Sequence, residues 1–140
     1  MMMEKAIELA NNVEGEIPVA AVIVKDGTVI SSAVNCKEKD ADVTAHAEIL
    51  ALRAAEQKLG NWRLDDCEMY VTLEPCPMCA WALIQARLRA VYFGSYDLQY
   101  GALGSKIDLR KLCNSKLKVY GGIMEEKCDI ILKNFFQELR

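Results

Sequence analysis

The order of local patterns along the chain predicts an α/β protein, a three-layer α/β/α sandwich around a five-stranded mixed sheet whose last two strands are parallel. Three observations predict it. Helical and β-rich stretches alternate as α-β-β-α-β-α-β-α-β-α. About 25 residues of helix-capable sequence separate the last two strands. A hairpin needs only a few, so this gap fits a crossover joining a parallel pair. Finally, the motifs that carry chemistry fall where a strand gives way to a helix, the place where α/β folds bind ligands.

Each element has its own local reason. Residues 4–12 are amphipathic, with Ala6, Ile7, Leu9 and Ala10 on one side. Residues 17–24 and 28–33 are β-rich and flank Lys25-Asp26-Gly27, a hairpin signal. Residues 45–59 are strongly helical and stop at Gly60. Residues 67–73 form a strand that runs into a Pro-Cys-Pro motif, and 77–87 form the helix after it. Residues 90–94 are a short buried strand, 118–121 the last strand, and 125–139 the closing helix. No repeat, low-complexity tract or linker interrupts the 140 residues, so the expectation is one domain over 1–140.

Composition narrows the function classes. Hydrophobic content of 52% with 26% charged residues describes an ordinary soluble protein, and no apolar run reaches transmembrane length. Residues 1–5 lead directly into the first helix without a signal-peptide layout. Six cysteines without such a leader point to reduced thiols and a cytoplasmic protein with no membrane partner. The net charge of −3 is unevenly spread. Residues 1–79 carry seven basic and fourteen acidic side chains, whereas 80–120 carry seven basic and two acidic. That basic segment, just after the metal motif, is a candidate contact for a phosphate backbone; the alternative is a solvated surface loop.

The chemistry concentrates in His46-Ala47-Glu48 and Pro75-Cys76-Pro77-Met78-Cys79, and His46 is the only histidine. A catalytic zinc takes three protein ligands and keeps its fourth tetrahedral position for water, whose pKa it lowers toward neutrality. His46, Cys76 and Cys79 meet that count. A carboxylate must then take the water's proton and pass it to the leaving amine, and Glu48 is the candidate. Cys76 and Cys79 stand at i and i+3 on one helical face, with Pro77 suited to the first turn. Thiols at a helix N-terminus lose their protons more readily. A Cys-x-x-Cys also serves as a redox pair or as half of a structural zinc site. A closed structural site needs a fourth ligand, and Cys36, Cys67, Cys113 and Cys128 belong to no paired motif.

These motifs are shared widely enough to place the chain beside known proteins. It resembles the cytidine deaminase superfamily and, within it, is similar to the bacterial tRNA adenosine deaminases. The resemblance runs almost end to end and is carried by Thr44-Ala45-His46-Ala47-Glu48-Ile49, Asn61-Trp62-Arg63-Leu64, Tyr70 through Cys79, Phe93-Gly94 with Asp97, Gly101-Ala102-Leu103-Gly104-Ser105, and Phe135-Phe136. It implies a cytidine deaminase-like fold and one Zn2+ per subunit held by His46, Cys76 and Cys79, with Glu48 as proton shuttle. The implied reaction is hydrolysis of the wobble adenosine of a tRNA anticodon stem-loop to inosine, with release of ammonia. It further implies that Asn35 hydrogen-bonds the flipped nucleoside, that Ile17 and Leu73 line the base pocket, that Glu74 helps position the reacting group, and that Asp97 contacts the anticodon nucleotides. A homodimer is implied as well. Trp81, Gln85, Ala20 and the aromatic loop 96–100 depart from the family pattern, and Tyr96 and Tyr100 are candidates for stacking on bases. The competing readings are a deaminase of a free base or nucleoside and a non-catalytic subunit; retention of Glu48 speaks against the latter.

Overall fold

Strands that are apolar on both faces require cover on both sides, and this chain supplies it. The computed structural model describes residues 2–139, so Met1 and Arg140 lie outside the described residues. Five strands, β1 (Ala20–Lys25), β2 (Thr28–Val34), β3 (Cys67–Leu73), β4 (Ala90–Ser95) and β5 (Lys118–Tyr120), form one sheet in the order β2-β1-β3-β4-β5. β1 is antiparallel to both β2 and β3, while β3, β4 and β5 run parallel. The mixed sheet and the parallel last pair are therefore as the sequence predicts.

Alternate residues of β1 face opposite cores. Ala20, Val22 and Val24 pack with Met3, Ala6, Ile7 and Ala10 of helix α1 (Met2–Asn11) and with Cys128 and Ile131 of α5 (Glu125–Glu138). Ala21 and Ile23 pack on the other side with Ala51, Leu52 and Ala55 of α2 (Ala47–Leu59) and Ala80, Leu83 and Ile84 of α3 (Pro77–Gln85). The short α4 (Arg110–Cys113) follows a loop that sends Ala102, Leu103 and Leu109 into this second, larger core.

Local chemistry sets the register. Asp26 and Gly27 at φ 50° and 76° make the two-residue turn whose backbone twist suits a hairpin. A register shift between Ile23 and Val24 bends β1 against β2. Tyr70, Tyr92 and Tyr120 stand side by side on the three parallel strands, with ring centroids 4.6 and 4.9 Å apart. This stack pins the three-residue β5 to the sheet edge.

Most boundaries shift by a residue or two from expectation, and two of the shifts have a plain cause. β1 begins at Ala20 rather than at residue 17, because Pro18 has no N–H to offer a ladder. α3 ends at Gln85 rather than at 87, because Arg87 turns to φ 65°. The basic stretch after the metal motif also divides. Arg87, Arg89, Lys116 and Lys118 line a groove at the N-terminal ends of β4 and β5, the opposite end of the parallel strands from Leu73.

The contact of β4 with α5 gives a test. A Cβ on Gly94 would collide with Cys128 Sγ and come within 2.9 Å of the Thr72 carbonyl oxygen. Gly94→Ala should lower stability by about 1–3 kcal/mol in urea denaturation. Adding Cys128→Ala should recover only part of this loss, since the backbone clash remains.

Candidate metal centre

Two helices begin at one point. His46 is the residue just before α2, extended at φ −75° and ψ 151°, and Cys76 holds the same place before α3 at φ −74° and ψ 174°. Neither side chain caps its own helix, which leaves both free to point at a common centre. Cys79 sits in the first turn of α3, two residues after Pro77, and is wholly buried. His46 Nδ1 lies 3.7 Å from Cys76 Sγ and 3.5 Å from Cys79 Sγ. The three ligand atoms fall within 4.8 Å of one another, although 30 residues separate His46 from Cys76.

An imidazole and two sulfurs gathered this closely fit a tetrahedral zinc with one position open. Their closeness shifts the proton affinity of each. The Cys76 thiol is pulled down to about 4, first by the hydrogen bond from Cys79 and then by His46. The Cys79 thiol is pushed far up, because its proton is held against Cys76 and because it is buried. His46 is raised chiefly by its hydrogen bond with Cys76.

Glu48 stands in the first turn of α2 with 5% of its surface exposed. Burial pushes its carboxyl up to about 7, and hydrogen bonds from its own backbone N–H and from Cys79 offset only part of the shift. A carboxylate near neutrality beside the metal donors can both accept and return a proton.

His46, Cys76 and Glu48 face a cavity of about 420 Å³. Its lining includes Ile17, Asn35, Leu73, Glu74 and Asp97 together with His46, Glu48 and Cys76, so every singled-out residue except Cys79 reaches the space. Cys79 lies behind the wall. Ile17 is 42% exposed and forms the rim. The Asn35 side chain is held by donating to the Ile17 carbonyl at 3.2 Å and accepting from Lys37 N at 3.3 Å. The Asp97 carboxylate accepts from the backbone N–H groups of Gln99 and Tyr100 and folds the loop over. The Glu74 carboxylate is occupied by the loop 97–105 rather than by open space.

The structure adds Lys37 and Tyr100 to the lining. No sequence pattern marks Lys37. Of the two loop tyrosines, Tyr96 packs edge-on against Phe93 at 5.1 Å and over Gly121, while Tyr100 lies at the cavity and is 59% exposed. Only Tyr100 is placed to meet a ligand. Trp81 is 44% exposed, so it fills no core space and belongs to the outer surface of α3.

Similarity to known proteins points the same way. The family model of MafB19-like deaminases matches residues 1–140. The chain is 41% identical to the tRNA-specific adenosine deaminase of Bacillus subtilis, over 100% of this chain and 89% of that protein. A solved structure from work on A-to-I editing by tRNA:A34 deaminases at the wobble position superposes with a TM-score of 0.86 at 40% identity, covering 93% of this chain and 97% of that one. The guanine deaminase of Bacillus subtilis superposes with a TM-score of 0.64 at 35% identity, over 75% and 79% of the two chains.

The ligand set makes two predictions. Cys79→Ser should abolish stoichiometric zinc in metal analysis, whereas Glu48→Gln should retain it. Zinc uptake by the stripped wild type should release protons, because the Cys79 proton must leave. Affinity measured by competition with a chelator should therefore fall as pH is lowered.

Proposed function

Because this chain belongs to the MafB19-like deaminase family, and within it to the tRNA-specific adenosine deaminases, we propose that it hydrolyses the wobble adenosine of a tRNA anticodon loop to inosine and ammonia. The observation that carries the proposal is the joining of three metal donors and a buried carboxylate in one cavity large enough for a base.

His46, Cys76 and Cys79 would hold one Zn2+ per subunit. Bound there, zinc supplies the Lewis acidity that makes a water nucleophilic at neutral pH. Glu48 moves the proton: it accepts from the attacking water and delivers to the departing amine. Its burial keeps bulk water from levelling that proton affinity. Asn35, fixed between two backbone groups, orients the nucleoside. Ile17 and Leu73 give the base apolar walls. Asp97 shapes the loop that meets the neighbouring nucleotides, Tyr100 offers them an exposed ring, and Lys37 offers a cation at the mouth. Glu74 belongs to the same wall. A base reaches such a cavity only when it is unstacked, which an anticodon loop permits at modest cost.

Association into a homodimer is part of this reading. Trp62, just after α2, and Trp81, on α3, are 56% and 44% exposed and offer apolar area on the surface. The reading also places the protein in the cytoplasm, in keeping with six free thiols. Among the described residues, no helix is long and apolar enough to cross a membrane.

A second reading, deamination of a free base, is favoured by the likeness to a guanine deaminase and by a cavity whose edge carries, among the described residues, Lys37 as its one lysine or arginine. Mass spectrometry of products separates the two. A stem-loop with adenosine at the wobble position should be converted while guanine, cytosine, cytidine and adenosine stay intact. Its kcat/KM should drop about tenfold or more between 50 and 200 mM salt, because phosphate contacts release counterions. Turnover of a free base with little salt dependence would establish the other reading. Glu48→Gln should lower kcat by roughly 10²- to 10⁴-fold on whichever substrate is used.

A further inference from the structure

We propose that Glu74 is a positioning residue, a buried anion around which the loop 97–105 folds so that the loop's cavity wall keeps a set distance from the metal donors. The inference rests on the active-site reading above and assigns Glu74 no contact with substrate.

Glu74 is 2% exposed, yet it lies between the end of β3 and the Pro75-Cys76 turn that opens α3. Four donors converge on its two oxygens. Oε1 accepts from Asp97 N at 3.1 Å and from the Ser105 hydroxyl, and Oε2 accepts from Leu103 N at 3.2 Å and Ser105 N at 3.1 Å. An ionised carboxylate has about four acceptor sites and no donor, so the match is complete. No ion pair with Glu74 occurs among the described residues, so its charge is met by these hydrogen bonds. Gly101 completes the fit. A Cβ there would collide with the Glu74 carboxyl and the Asp97 carbonyl oxygen, so this position must be bare for the loop to close on the anion.

Backbone bonds tie the same carboxylate to the site from the other side. Glu74 N donates to Ser95 O at 2.9 Å, and Ala102 N donates to Pro75 O at 2.9 Å. Cys76 is two residues from Glu74, and Asp97 and Tyr100 both face the cavity. A shift of the loop therefore moves one wall relative to His46, Cys76 and Glu48. A wall touches the bound substrate before and during reaction, so loosening it raises KM more than it lowers kcat.

Glutamine is the informative replacement. It keeps the shape but turns one acceptor oxygen into an NH2 group that faces donors. Zinc-loaded wild type, Glu74→Gln, Ser105→Ala and the double variant would be compared by amide hydrogen exchange, zinc content and steady-state kinetics. Glu74→Gln should retain zinc and raise exchange at Leu103 and Ser105 about tenfold or more. KM should rise roughly 10- to 100-fold with a smaller change in kcat, the pattern of binding lost equally from ground and transition states at about 1.4 kcal/mol per tenfold. Ser105→Ala should show a weaker form of both effects, and the double variant should fall short of their sum. If Glu74→Gln does not fold, Ser105→Ala carries the test alone. Unchanged exchange in 97–105 would overturn the brace. Faster exchange with unchanged KM would overturn its role in the reaction, as would a fall confined to kcat. The kinetics are read on whichever substrate the wild type converts, so a stem-loop left intact would remove the tRNA reading and leave this test standing.

Discussion

A metal centre of three side chains requires two distant pieces of chain to arrive at one point with little slack, and the rest of the molecule serves that requirement. His46 and Cys76 occupy equivalent places before two helices, and both helices lie on the same face of the sheet. Each helix is anchored by apolar side chains in the larger core, which also takes in residues of β1, β3 and β4. The donors therefore meet because two packed elements fix the starts of α2 and α3, and no flexible loop has to find the metal. The backbone N–H groups at these helix starts also favour the negative charge that thiolates and a carboxylate bring.

The same burial that positions the donors tunes the proton chemistry. Taking Glu48 out of water disfavours its charged form and brings it near neutral pH. A carboxyl left at the rim would be ionised at working pH and poor at returning a proton. The cavity divides its tasks accordingly: the floor holds donors and the proton carrier, Ile17 and Leu73 give apolar surface, and Asn35, Lys37 and Tyr100 form the polar entrance. The basic groove of Arg87, Arg89, Lys116 and Lys118 lies at the other end of the parallel strands, so charge counted along the sequence does not locate the entrance.

Stability and function share residues at the loop 97–105. Its Ala102 and Leu103 enter the larger core, while Asp97 and Tyr100 face the cavity. Burying a carboxylate among backbone donors is a costly way to hold a loop compared with apolar packing. It gives direction in return, because hydrogen bonds fix orientation where apolar contacts permit sliding. A loop that bears on a reacting base benefits from that difference.

The sequence by itself determined the local and chemical features. Alternating and helical apolar patterns marked ten elements, Asp26-Gly27 marked the turn, and the His-x-Glu and Pro-Cys-x-x-Cys spacings marked the metal set, because period and side-chain chemistry are properties of short segments. The long gap before β5 sufficed to make the last pair parallel, since chain length limits the connection. Tertiary structure decided what depends on segments remote in sequence. It placed Lys37 and Tyr100 in the cavity wall, packed Tyr96 against Phe93, sent Arg87, Arg89, Lys116 and Lys118 to the far end of the sheet, and turned the Glu74 carboxylate into the 97–105 loop. None of these is encoded in a local period. Each follows from which surfaces meet once β3 and β4 align and the loop closes on them.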